Sequence, residues 1–140
     1  MKTNREKGIK FFGDVLGKAN ELGLRQEIRE GSHFGSETAK FSADFAFGTI
    51  WERDGLARRD RSLVVMGILI ALRQTEELKY HVRIALSNGL TVKEIEEVLY
   101  QSIPYAGFPA ANSAKTAMVE ALREPGREVG DGARVASGDR

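Results

Sequence analysis

The chain has 140 residues, enough to bury one core and few for two independent ones, with 41% hydrophobic and 29% charged residues. Twenty-one Lys plus Arg against 20 Asp plus Glu leave a net charge of +1, so no long-range field draws it to nucleic acid or to an anionic membrane. The absence of cysteine excludes a disulfide framework, thiolate metal sites and thiol redox chemistry.

The opening segment, MKTNREKGIKFFGDVLG, lacks the uninterrupted apolar stretch and small-residue cleavage site of an export signal, which points to a cytoplasmic protein. Apolar residues recur with a helical period almost throughout, predicting an all-α fold of about six helices. The first runs from about Asn4 to Leu22 and is followed by a short polar stretch and the break GSHFGS. The second covers about Ser36 to Trp51 and gathers Phe41, Phe45 and Phe47 near one face. ERDGLARRD then reads as a loop around the turn-forming pair Asp54 and Gly55.

The third helix, about Arg58 to Leu72, is apolar on every side in its middle, which predicts a place at the centre of the core. Its run LVVMGILIAL is far shorter than the roughly 20 residues of a membrane span. Thr75 is placed to cap a fourth helix that ends at Asn88 and Gly89, residue types that tolerate the left-handed terminal conformation. Thr91 and Glu94 form a capping box for a fifth helix, expected to run to about Ile103 and to be stopped by Pro104. YAGFPAANSA supplies a tight connection, and Ala111 to Arg123 form the last helix. Residues 1–124 thus read as one helical domain, and the glycine-rich 125–140, without apolar period, as a disordered tail.

On a wheel of the fourth helix, Leu78, Val82, Ala85 and Leu86 form a core face, with Lys79, Tyr80, Arg83 and Ser87 opposite. Glu77, His81, Ile84 and Asn88 fall on the shoulder between them. A carboxylate at i, i+4 can accept a hydrogen bond from the imidazole and raise its pKa, which suits a general acid or base near neutral pH. The same spacing also describes an ordinary exposed pair, and spacing alone favours that reading. His33, in GSHFGS, reads as a solvated loop residue.

Metal binding finds only two ligands in Glu77 and His81, where catalytic zinc usually needs three. Arg53, Arg58, Arg59 and Arg61 crowd the start of the third helix as surface charge, or as the source of one guanidinium that holds a substrate carboxylate; Arg61, beside the apolar run, is the best placed. Trp51, the only tryptophan, reads as core or interface. ALSNGLTVKEIEEVL has the layout of a helix-turn-helix, but Glu94, Glu96 and Glu97 on its second helix oppose phosphate contact, so no nucleic acid partner is expected.

WERDGLARRDRSLV, ELKYHVRIALSNGLTVKEIEEVL and YAGFPAANSA, in that order, resemble the carboxymuconolactone decarboxylase family, related to the AhpD-like alkylhydroperoxidases. The resemblance covers about Gly8 to Leu122 and is densest from Trp51 to Ala114. It implies an AhpD-like helical fold, a homo-oligomer that is commonly a hexamer built as a trimer of dimers, and cofactor-free loss of CO2 from a carboxylated lactone, 4-carboxymuconolactone, in protocatechuate breakdown. It also implies that Glu77 and His81 are catalytic, that Arg61 binds substrate, and that Tyr105, Gly107 and Pro109 shape the following loop. The peroxidase branch uses a Cys-x-x-Cys pair whose positions fall here on Gln74 and Glu77, so that chemistry is excluded.

Two segments depart from the family pattern. Phe45, Ala46, Phe47, Gly48, Thr49, Ile50 and Trp51 stand where the decarboxylases read roughly His-Ala-Trp-Gly-Asp-Val-Trp. Tyr105, Ala106, Gly107, Phe108 and Pro109 stand for Tyr-Cys-Gly-Val-Pro. A pocket lined by Phe45, Phe47, Trp51 and Tyr105 would be more apolar and would accept a different acid or lactone. The alternatives are an isomerase or lyase acting on another unsaturated carbonyl compound, or a non-catalytic helical oligomer that binds a small molecule.

Overall fold

The computed structural model describes residues 1–123. These form seven α-helices and one π-helix, with no strand among the described residues. Two compact units divide the chain, Met1–Ala57 and a second from Arg58 onward. The expected tail 125–140 lies outside the described residues.

In the first unit, the helix expected from Asn4 to Leu22 is two helices, α1 (Asn4–Leu16) and α2 (Lys18–Glu30). Gly17 divides them at φ 95°, a backbone conformation that glycine adopts without steric cost. α2 has no buried residue and therefore no apolar stripe to announce it. Its ion pairs include Glu21 with Lys18 at 3.2 Å and with Arg25 at 3.0 Å.

The regular helix expected over Ser36–Trp51 is instead one α-turn, α3 (Thr38–Phe41), running into a π-helix, Ser42–Ile50. Its wider turn changes which side chains share a face, so Phe41 and Phe45 are exposed while Phe47 turns inward. Backbone approach to α1 holds this element. A Cβ on Gly8 would stand 1.9 Å from the Ala43 carbonyl oxygen, and one on Gly48 2.0 Å from that of Asn4. Arg5 adds a bidentate clamp, Nε to Asp44 Oδ1 at 2.8 Å and Nη2 to Oδ2 at 2.7 Å.

The second unit contains α4 (Arg58–Ala71), α5 (Thr75–Ser87), α6 (Val92–Ala106) and α7 (Phe108–Arg123) around a core that includes Met66, Ile70, Leu78, Val82, Ile95 and Met118. α4 does not occupy the centre of that core, contrary to its all-round apolar pattern. Ser62, Met66 and Ile70 are buried, while Val64, Ile68 and Leu72 remain exposed. α5 starts at Thr75, but its cap is Gln74, which makes no side-chain capping bond.

The Thr91–Glu94 capping box forms as expected. Pro104 does not stop α6, which continues to Ala106. In the last turns of a helix a proline forfeits one backbone bond, and Gly107 at φ 90° makes the actual stop. α7 begins earlier than expected, at Phe108, and packs an alanine-rich face containing Ala110, Ala111, Ala114, Ala117 and Ala121. No helix among the described residues is long and apolar enough to cross a membrane.

Candidate active site

α5 is amphipathic, with Glu76 and Glu77 in its first turn, where carboxylates complement the helix dipole. Leu78, Val82, Ala85 and Leu86 are buried as its periodicity requires. Ile84, assigned to the shoulder, is 1% exposed and joins them. The opposite face is only partly wet: Lys79 Nζ donates to Glu120 on α7 at 2.6 Å and to Glu76 at 3.1 Å. Those two bonds, Glu120 first, raise the Lys79 pKa. Arg83 lies over the Tyr80 ring, 5.4 Å from its centroid.

His81 is half-buried and its Nδ1 is shielded from solvent, whereas Glu77 is exposed. Spacing suggested a carboxylate that lifts the imidazole pKa; burial has the opposite effect and pushes it down to about 4. Glu77, screened by water, does not offset this. Asn88 closes the same shoulder at the end of α5, donating from Nδ2 to Ser62 Oγ at 3.0 Å and toward the Arg58 carbonyl at 3.5 Å. The start of α4 is thereby fixed against the end of α5. His81, seven residues back, stands roughly 10 Å along the axis from Asn88.

Arg61 is half-buried on the first turns of α4, next to Ser62. Arg59 pairs with Glu94 and with Asp60. An open groove of about 620 Å³ lies between α4 and α6, floored by Leu63, Gly67, Ala71, Val98 and Ala106. Arg59, Glu94, Glu97, Gln101, Ser102 and Tyr105 form its polar edge. Tyr105 is 86% exposed. The groove contains Tyr105 but neither His81 nor Arg61. Sequence reasoning did not find it, although Gly67 and Ala71, small residues four apart in a run of large ones, were a visible signal.

The expected aromatic wall belongs to the first unit, whereas Arg61, Glu77, His81 and Tyr105 belong to the second. Phe47 stacks on Phe11 at 5.3 Å and meets Phe12 at 5.6 Å; Trp51, buried, packs on Phe11 at 5.2 Å. Phe45 is exposed. His33 is exposed but held, with Phe34's carbonyl at 3.1 Å from Nδ1 and Glu27 at Nε2. Both contacts raise its pKa, the hydrogen bond with the Phe34 carbonyl being the largest single cause. Among the described residues no group of three or more His, Cys, Asp and Glu side chains could hold a metal ion.

A half-buried imidazole whose pKa is pushed down, an arginine at the start of α4 and an all-helical scaffold accompany a family model described as the carboxymuconolactone decarboxylase family, which matches residues 36–120. The chain belongs to the carboxymuconolactone decarboxylase family. The match takes in Phe45, Phe47, Trp51, Arg61, Glu77, His81 and Tyr105. A 4-carboxymuconolactone decarboxylase of Acinetobacter baylyi is 32% identical over 121 residues, which is 86% of this chain and 88% of that relative. A nitrosuccinic acid decarboxylase, npaB, of Metarhizium robertsii is 34% identical over 109 residues, 78% of this chain and 74% of that one. Both relatives are thus named as decarboxylases.

Proposed function

We propose that the chain is a cofactor-free decarboxylase acting on a carboxylated lactone of the 4-carboxymuconolactone type. The observation that carries this reading is its similarity, over 86% of its length, to a protein named for that reaction. In the proposed scheme Arg61 binds a substrate carboxylate through its guanidinium fork. The reacting carboxylate leaves as CO2, and the electron pair of the broken bond passes into a dienolate spread over the lactone carbonyl.

His81 returns the proton. Burial holds its ring neutral in the free protein, and an anionic substrate in the same desolvated surroundings favours the charged ring. The ring takes one proton as the acid binds and gives it to the dienolate carbon. For the reacting group the balance is one carboxylate and one proton in, one C–H bond and CO2 out, and the carboxylate held by Arg61 stays on the product. Glu77 acts through His81 as a positioning group at the solvent side of the helix.

Purified protein incubated with 4-carboxymuconolactone is expected to release CO2, and His81→Ala to lose roughly a hundred-fold or more in rate. An active His81→Ala protein rejects the scheme. The nitrosuccinic acid decarboxylase favours a second reading, in which the substrate is an acyclic acid. The apolar residues Phe45 and Phe47 at the altered segment support a departure from the lactone. Parallel CO2 assays with nitrosuccinic acid decide between the two.

A further inference from the structure

α4 and α5, both in the second unit, pack against each other across the short connection 72–74 and so run antiparallel. The connection closes one end of this pair, and Asn88 ties the other. Its Nδ2 donates to Ser62 Oγ at 3.0 Å and faces the Arg58 carbonyl at 3.5 Å. A carbonyl oxygen can only accept, so Nδ2 rather than Oδ1 is the atom turned toward α4. Ser62 is fully buried, which shields the bond from competing water.

The backbone does not call for an asparagine here. Gly89, at φ 97°, takes the left-handed position that ends α5, while Asn88 sits at φ −82° and ψ 4°, a negative φ that makes no special demand on the side chain. What the amide supplies is its grip on α4. Arg58 and Ser62 are one turn apart and share a face of that helix, and Arg61 lies on the flank of this face, next in the chain to the anchored Ser62. On α5, Asn88 follows His81 by two turns and so shares its side. The side chain that grips the start of α4 is therefore carried on the same helix face as the imidazole.

We propose that Asn88 is a positioning residue for the decarboxylation: through Ser62 it fixes the first turns of α4, and with them the place at which Arg61 holds the substrate carboxylate. This inference rests on the decarboxylase reading. A guanidinium fork binds a carboxylate through two directed hydrogen bonds, so a displacement of roughly 1 Å is costly. The carboxylate held by Arg61 is present in substrate, transition state and product alike. Loss of the grip therefore weakens binding of the acid without slowing the step that follows. His81 is two turns away within an intact helix, and its own surroundings are left unchanged.

Steady-state CO2 release by the full chain from 4-carboxymuconolactone, and in parallel from nitrosuccinic acid, tests the proposal. Asn88→Ala should raise KM roughly ten-fold and change kcat by less than about two-fold. Proton NMR should show the His81 resonance titrating as in the wild type. A merely loosened core would instead move KM, kcat and the His81 titration together. In the Arg61→Ala background, Asn88→Ala should add less than about two-fold to KM, because the group it places is gone. Ser62→Ala removes the acceptor with little change of volume and should raise KM in the same way; it carries the test if Asn88→Ala fails to fold. Turnover of neither acid by the wild type removes the decarboxylase reading and this inference with it. An active wild type whose KM is unmoved by these substitutions, or an equal effect of Asn88→Ala with and without Arg61, overturns the inference and leaves the decarboxylase reading standing.

Discussion

Protonation of His81 is expected to destabilise the folded chain. In the unfolded chain the imidazole titrates near 6.5, and in the folded chain burial lowers it to about 4. Because the folded value is the lower one, the unfolded state binds more protons between them. Stability is therefore full above about pH 6.5, falls as pH drops through the window, and levels off below about pH 4. A gap of about 2.5 pH units at about 1.4 kcal/mol each gives an upper bound of roughly 3.5 kcal/mol. Partial exposure of the ring reduces this to roughly 1–3 kcal/mol. Urea midpoints at pH 7.5, 5.5 and 4.5, compared between the wild type and His81→Gln, isolate the effect, because carboxylates titrating in the same range contribute to both. Proton NMR supplies the direct check: of two histidine resonances, His33 should titrate above the ordinary value and His81 far below it. Identical pH dependence of stability in the two proteins, or a His81 resonance titrating near 6.5, refutes the reasoning.

Gly8→Ala and Gly48→Ala should each cost about 3 kcal/mol or more in thermal unfolding, because the new methyl meets backbone of the neighbouring element. Gly23→Ala, with nothing within 4 Å, should instead stabilise by about 0.5–1 kcal/mol. Thr91→Ala removes the capping box of α6 and should lower stability by about 1 kcal/mol in urea. Substrate acid binding should be accompanied by uptake of one proton per site at pH 7, seen by calorimetry as a binding heat that varies with the ionisation enthalpy of the buffer, and lost in His81→Gln.

Local chemistry made part of this fold legible. The Thr91–Glu94 box, the Asn88–Gly89 stop and the buried face of α5 are written in neighbouring residues, and each forms where the pattern places it. What escaped depends on partners distant in sequence. Gly17 could have continued a helix, and only the packing of the first unit selects its φ of 95°. The π-helix changes hydrogen-bond register without a compositional mark, in a segment whose backbone comes close to that of α1 at Gly8 and Gly48. α2 has ion pairs in place of an apolar stripe. At the candidate site, spacing placed His81 on a shoulder but could not give its burial, so the direction of its pKa was read from Glu77 alone and came out reversed.

That reversal bears on how the proposed reaction would turn over. An imidazole titrating at about 4 is charged in roughly one molecule in a thousand at pH 7, so the free protein holds no ready acid. A carboxylate firmly paired to His81 would keep the ring charged before and after the reaction, and the proton would be as hard to give away as easy to acquire. Glu77 is exposed, and in the proposed reaction the protonation state of His81 follows the charge of the bound acid. An acid brings negative charge and stabilises the imidazolium, and that charge persists in the dienolate after CO2 departs. Transfer of the proton to carbon discharges both groups at once. Burial then favours the neutral ring again, so the desolvation that costs His81 its charge in the free protein also helps to complete the cycle.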